Sequence, residues 1–329
     1  MKSTVRGLAL VVAIVLCGTS LNLSAQAPQK VYRIGWLGTS TPGVNEGLHD
    51  AFRQGLRSYG RIDGQNVALE FRWAYGREER LPELAAELVK MKVDIIFAPV
   101  EPSILAAMGA TTTIPIVMAT AADPVGTGLV DSLARPGRNV TGLTLFAPDL
   151  AAKRLQLLKD IVPGLSRVAV LWNSENTGKG READETQRAA AQLGLRFEPF
   201  LIRGPNPDLD RIFPTIADRA QALIVLGESL TFSQRARIQT LAARNRVPTI
   251  YETRAFLDAG GLMSYGPDVL DMYRRTAYYV DRLLKGAKAS DLPIEQPSKI
   301  ELVINRKTAV ALGLMLPPSL LIRADQVIG

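Results

Sequence analysis

The chain reads as an α/β protein made of two Rossmann-like lobes with parallel sheets, joined by three hinge crossings. Three observations predict this. Short apolar runs alternate with amphipathic stretches from Val31 onward, the alternation starts afresh after Pro136 and Gly137, and 329 residues exceed what one hydrophobic core usually supports.

In the first half, apolar runs predict strands over 31–37, 66–73, 94–98 and 114–118, with helices over 44–59, 80–90 and 103–110 between them. After the segment 139–146 the rhythm restarts. Helices over 149–161, 181–193, 208–219 and 233–245 alternate with strands over 167–172, 196–201, 222–226 and 248–251. A short strand over 260–265 and a long amphipathic helix over 269–285 follow, the helix stopped by Gly286. A strand over 301–305, a short helix to Leu312 and a tail ending at Ile328 complete the chain. Crossings are expected near Phe146, Leu257 and Pro297. They assign 30–145 plus 259–296 to an N-terminal lobe and 146–258 plus 297–329 to a C-terminal lobe.

Ahead of the first lobe, Lys2 and Arg6 precede an apolar run from Leu8 to Leu16, and small and polar residues follow it to Ala27. That is the layout of a secretory signal peptide, and the run is about half of the ~20 residues a membrane span needs. Cleavage is expected after Ala25, because a cut after Ala27 would place Pro28 just beyond the bond. Residues 1–25 are therefore read as a signal peptide and the protein as periplasmic. Cys17, the only cysteine, stands where a lipoprotein would carry its lipid, but bulky Leu16 precedes it, so ordinary cleavage is preferred. Cleavage at Ala25 would leave a chain without thiols.

The 39 Lys and Arg against 32 Asp and Glu give +7, which falls to +5 when Lys2 and Arg6 leave with the signal. The basic residues are scattered, with no aromatic-interleaved basic patch, so no nucleic-acid partner is expected. Groups for catalysis are scarce. His49 is the only histidine, and its polar neighbours Glu46, Asp50 and Arg53 suggest a helix-surface residue instead of a general base. Phosphate loops, nucleophile elbows and metalloprotease motifs are all missing from the sequence. No catalytic residue, cofactor or metal site is expected.

The loops at the carboxyl ends of the predicted strands are, by contrast, rich in polar side chains, and ligands bind there in open parallel sheets. From the first lobe come Ser40 and Thr41, Glu101 and Ser103, and Asp123. The second lobe offers Asn173 and Thr177, Glu228 and Ser229, then Tyr251, with Tyr265 near the hinge. Taken singly, each hydroxyl, amide or carboxylate is explained by helix capping or a turn. Together they would line one cleft with donors and helix N-termini that suit a small organic ligand's carboxylate, with the two tyrosines as aromatic walls or core residues.

Several segments resemble one family. They are YRIGWLG at 32–38, FRQGLRSYGRIDGQNVALEFRWAYG at 52–76, and TTIPIVMATAADPVGTGLVDSLARPGRNVTGLT at 112–144. KRLQLLKDIVPGLSRVAVLWN at 153–173, GGLMSYGPD at 260–268 and ELVINRKTAVALGL at 301–314 complete the set. On these the chain resembles the ABC transporter substrate-binding proteins of tryptophan/tyrosine-type import systems, a branch of the type 1 periplasmic binding proteins. The resemblance implies a monomeric binding protein without catalysis that closes its lobes on a small molecule and presents it to an ABC permease and its ATPase subunit. An amino acid, aromatic or otherwise, or a related organic acid is the implied ligand. Glu101 and Glu228 depart from that picture, placing acids where a carboxylate ligand would prefer neutral donors; they suit a ligand amine or hydroxyl. Two other readings stay open: a ligand sensor for a membrane receptor, and a periplasmic enzyme. A transcriptional regulator of this fold would need a helix-turn-helix where the leader-like segment stands.

Overall fold

The computed structural model describes residues 30–44, 46–145 and 149–329. The expected signal peptide over 1–25, with Cys17 and the bond after Ala25, and the expected crossing at Phe146 lie outside the described residues. The first half runs β1 (Tyr32–Gly38), α1 (Glu46–Ser58), β2 (Val67–Trp73), α2 (Leu81–Lys90), β3 (Ile95–Phe97), α3 (Glu101–Ala110), β4 (Ile116–Ala121) and β5 (Val140–Thr144). Then come α4 (Asp149–Ile161), β6 (Arg167–Asn173), α5 (Thr177–Gln192), β7 (Arg196–Ile202) and α6 (Leu209–Arg219). They are followed by β8 (Ala222–Val225), α7 (Ser229–Ser233), α8 (Arg235–Arg244), β9 (Thr249–Tyr251) and β10 (Met263–Pro267). Last are α9 (Val269–Leu284), β11 (Ile300–Asn305), α10 (Arg306–Ala311), α11 (Pro318–Arg323) and β12 (Gln326–Ile328).

Two sheets form. Five strands pair in the order β2-β1-β3-β4-β5, all parallel. Seven pair in the order β12-β11-β10-β9-β8-β6-β7, where only β10 and β11 run antiparallel. Successive side chains of a strand point to opposite faces, so each parallel strand feeds two cores. In the first sheet Ile34, Trp36, Ile95, Phe97 and Val117 meet α1 and α9, whereas Leu37, Ile96, Ile116 and Met118 meet α2 and α3. In the second, Val168, Val170, Ala222 and Ile224 face α4 and α5, and Ala169, Leu171, Leu223 and Val225 face α6 and α8. Helices cover both faces of both sheets, which is what the uninterrupted apolar runs require.

Local chemistry sets the helix ends. Asn176, Asp208, Asp268 and Asn305 each accept a backbone N–H of the first turn of α5, α6, α9 and α10 with a side-chain oxygen. Past the end of α9, Gly286 takes φ +94°, a left-handed conformation that stops a helix readily only with glycine.

The structure departs from the sequence expectation at several points. β10 pairs with β9 and β11, so residues up to Pro267 belong to the second sheet and the chain passes to the first lobe at Asp268, not at Leu257. The apolar pattern of 260–265 reports a buried strand but not the sheet that buries it. From there α9 packs on α1 in the first lobe, and Ile294 N still donates to Leu133 O at 2.7 Å before β11 rejoins the second sheet. Helix α5 starts at Thr177, four residues before the expected 181, because the Asn176 cap outweighs the low helix propensity of Gly178 and Gly180. The expected helix 233–245 is α8, and the short helix α7, capped by Glu228, precedes it where the sequence suggested only a loop. Pro42 lies in a turn ahead of α1.

His49 is not at the surface. It is 7% exposed, its ring held at 4.7 Å from Trp36, 5.1 Å from Trp73 and 5.8 Å from Phe71. Burial, helped by the Arg53 charge, lowers its pKa and favours the neutral ring.

Candidate ligand cleft

The carboxyl ends of β1, β3 and β4 face those of β6 and β8, and three side-chain contacts bridge the lobes there. Thr39 Oγ1 lies 3.2 Å from Ser229 Oγ. Thr177 donates its hydroxyl to Glu101 Oε1 at 2.9 Å, and Arg181 Nε donates to Asp123 Oδ2 at 2.8 Å. Each contact joins a loop or helix N-terminus of one lobe to that of the other, which is where the open-sheet rule places a ligand. Between Ala122, Asp123 and Leu145 of the first lobe and Ala151, Gly178 and Arg181 of the second is a cavity of about 330 Å³. That volume is at the small end of ligand pockets.

The sequence-predicted residues divide into five groups. Glu101, Asp123, Thr177 and Ser229 meet across the lobe boundary. Ser40 and Thr41 are half-buried in the loop after β1, beside Thr39, and their carbonyls accept from Tyr75 N and Val44 N. Asn173, buried, and Glu228, half-buried, lie beneath: Asn173 Nδ2 donates to Glu228 Oε2 at 3.4 Å, and Glu228 accepts Thr231 N at 2.7 Å and Leu230 N at 3.0 Å. Two residues are held inside their own lobe. Ser103 is fully buried, with its hydroxyl committed to the Val100 carbonyl at the start of α3. Tyr251 is a core residue, stacked on Phe256, its OH donating to Gln239 Oε1 at 2.9 Å. Alternation along β9 turns Tyr251 towards α8 and away from the cleft. Tyr265 is half-buried in the last strand before the crossing, and its carbonyl accepts Arg154 Nε at 2.9 Å.

Carboxyl groups dominate the electrostatics. Burial pushes Glu101 up, while the Thr177 hydroxyl draws it back. Burial likewise raises Glu228 despite its donors. Glu78, ahead of α2, is pushed up to about 7 by burial and by the carboxylates of Glu228 and Glu175 across the boundary.

Beneath the cleft the second lobe holds a ring of charges absent from the sequence expectation. Arg154 Nη1 contacts Glu182 at 3.0 Å and Glu252 at 3.1 Å; Lys179 Nζ contacts Glu182 at 2.6 Å and Glu252 at 2.7 Å. Glu252 Oε2 also accepts Gly227 N at 2.6 Å. Burial opposes the Lys179 charge, but the two carboxylates outweigh it and raise its pKa. Burial also opposes the Glu182 anion, and Lys179 and Arg154 hold that carboxyl below its usual range; Glu252, deeper and facing Glu182, is pushed up to about 7. The ring ties α4, α5 and the end of β9 to the strand before the hinge at Asp268. Arg154, Lys179 and Glu182 sit in helices whose amphipathic pattern looks ordinary, and Glu252 follows β9 in a strand-end loop, so nothing in the sequence marks the four as one cluster. Among the described residues no group of three or more His, Cys, Asp or Glu is arranged to hold a metal ion, and no helix is long and apolar enough to cross a membrane.

Two doubly wound lobes that meet through their strand-end loops define a two-lobed binding protein of the type 1 periplasmic class. The chain belongs to the ABC transporter substrate binding protein family, whose model matches residues 40–328. It is 26% identical over 263 residues, 80% of this chain and 75% of the relative, to a tyrosine-binding protein of Clostridioides difficile (strain R20291). Among solved structures it is similar to an ABC domain in complex with L-Trp from Streptococcus pneumoniae, with TM-score 0.85 and 27% identity over 91% of this chain and 100% of that one. It is also similar to the ligand-free, open structure of a substrate-binding protein with adhesive properties from Clostridium difficile. There the TM-score is 0.67 at 25% identity, covering 91% of this chain and 99% of that one.

Proposed function

We propose that this chain is the exported receptor of an ABC importer and that it closes its lobes on an amino acid, with aromatic amino acids as the first candidates. The observation that carries the reading is the set of three side-chain contacts that join strand-end loops of opposite lobes. Two neighbours of nearly equal identity and coverage support it. The chain scores higher against the L-Trp complex than against the open, ligand-free protein, consistent with a closed arrangement here.

In this mechanism a ligand touches both lobes and shifts an open–closed equilibrium by its preference for the closed form. Ser40, Thr41 and Asp123 would meet it from the first lobe, and Ser229, with Asn173 and Glu228 beneath, from the second. Ser103 and Tyr251 take no part. The closed form docks on the permease, and the chain itself hydrolyses nothing.

Mass spectrometry of small molecules released from the denatured, purified protein, followed by calorimetry with L-tryptophan and L-tyrosine, tests the reading. Binding of one or both, without turnover of either, is expected. If no amino acid or aromatic acid co-purifies or binds, the ligand assignment fails.

A further inference from the structure

We infer that Glu101 and Gly178 form a tongue-and-groove latch between the lobes that sets how stable the closed form is. This rests on hinge closure as proposed above, but assigns the latch to a contact that needs no ligand.

Glu101 is the first residue of α3, 5% exposed, and its carboxylate reaches over the lobe boundary to the first turn of α5. Oε1 accepts the Thr177 hydroxyl at 2.9 Å. Oε2 is buried with no hydrogen-bond partner and lies against Gly178. A Cβ at position 178 would sit 2.3 Å from Oε2 and 3.3 Å from both Glu101 Cδ and Ala122 Cβ. The close approach alone explains the glycine. Gly178 is not at positive φ, and inside a helix glycine is a poorer choice than alanine.

The charges agree with the shape. Helix α5 has no acidic residue in its first turn, although that end carries the positive pole of the helix dipole. Glu101, from the other lobe, supplies the missing carboxylate. One consequence concerns the ligand. In the closed form the N-terminus of α5 is occupied by the protein's own carboxylate, so a ligand carboxylate must be held elsewhere.

The test uses Gly178→Ala, Glu101→Ala and the two combined, in the exported chain. A ligand-independent readout comes from Thr39→Cys with Ser229→Cys, whose hydroxyls now lie 3.2 Å apart; the rate at which this pair forms a disulfide reports the closed population. Gly178→Ala is expected to slow trapping and weaken L-tryptophan and L-tyrosine binding by about tenfold, with the ligand-free melting temperature unchanged or raised. Adding Glu101→Ala removes the collision, so the double variant should return to within about threefold of Glu101→Ala alone. A purely structural defect at 178 would not be rescued this way. Wild-type trapping and binding by Gly178→Ala, or additive losses in the double variant, would overturn the latch. Failure of the wild type to bind either amino acid would instead sink the ligand assignment, and the trapping rates would still decide the latch.

Discussion

Lys179 Nζ and Glu252 Oε2 are 2.7 Å apart with side-chain exposures of only 3% and 4%. This pair lies beneath the loops that meet the first lobe, and it shares Glu182 and Arg154 with a second cation–carboxylate pair. Removing one member strands a buried charge, which is far more costly than losing a surface pair. Lys179→Ala should therefore destabilise the chain by about 3–5 kcal/mol in urea denaturation. A loss under about 1 kcal/mol would mean that water reaches the ring.

Asp123 and Ser229 each bridge the lobes from the rim of the cleft. Asp123 Oδ1 accepts Gly126 N while Oδ2 takes the exposed Arg181, and Ser229 touches Thr39. Pairs of this exposure are worth about 0.5–1.5 kcal/mol, so Asp123→Ala and Ser229→Ala should weaken ligand binding roughly two- to tenfold. Melting temperatures without ligand should stay at the wild-type value, because neither side chain supports a core. Calorimetry beside thermal denaturation checks both. Unchanged affinity in both variants would reduce these residues to a cap and a turn.

The two-lobed alternation is legible because parallel strands buried on both faces leave unbroken apolar runs, as in 95–98 and 222–226. Sheet membership is not. Nothing local in GLMSY at 261–265 says that β10 pairs with β9 and β11 instead of starting the return to the first lobe. In the cleft, Thr177, Asp123 and Ser229 could be placed from their position after strands, but their true partners Glu101, Arg181 and Thr39 depend on how the lobes meet. His49 reads as a surface residue because its sequence neighbours are polar, while the residues that bury it, Trp36, Phe71 and Trp73, come from two strands. Gly178 carries a local signal: a glycine in the first turn after the Asn176 cap marks a close approach.

Of the two roles the sequence allows Tyr251, cleft wall or core residue, the structure shows the core, and the residue is a clean probe of the second lobe. Its OH donates to Gln239 Oε1, and Gln239 Nε2 donates to Phe256 O at 2.8 Å, so the three residues form one buried chain of hydrogen bonds. Tyr251→Phe keeps the ring and leaves Gln239 Oε1 without its donor. A loss of about 1–3 kcal/mol in urea denaturation is expected, with ligand affinity unchanged. A drop in affinity without a drop in stability would return Tyr251 to the cleft.

Closure should also respond to pH. Glu78 of the first lobe faces Glu175 and Glu228 of the second, beside Glu79 on its own segment, and burial with these charges pushes it up to about 7. Burial raises Glu101 and Glu228 as well. In an open form these carboxyls regain water and distance, and return towards the ordinary range near 4.5. A carboxyl with a raised pKa in one state holds a proton that the other state has lost, so closing takes up protons between about pH 4.5 and 7. Uptake on closing means that closure is favoured as pH falls through that window and disfavoured as it rises. An amino-acid ligand stays zwitterionic there and adds no titration of its own. Affinity for L-tryptophan should thus rise roughly two- to tenfold between about pH 7.5 and pH 5.5, and Glu78→Gln should flatten the rise. Calorimetry at each pH in two buffers of different ionisation enthalpy measures the proton uptake directly. Proton release on binding near pH 6.5, or an affinity that falls with falling pH, would show that these acids do not come together when the lobes close.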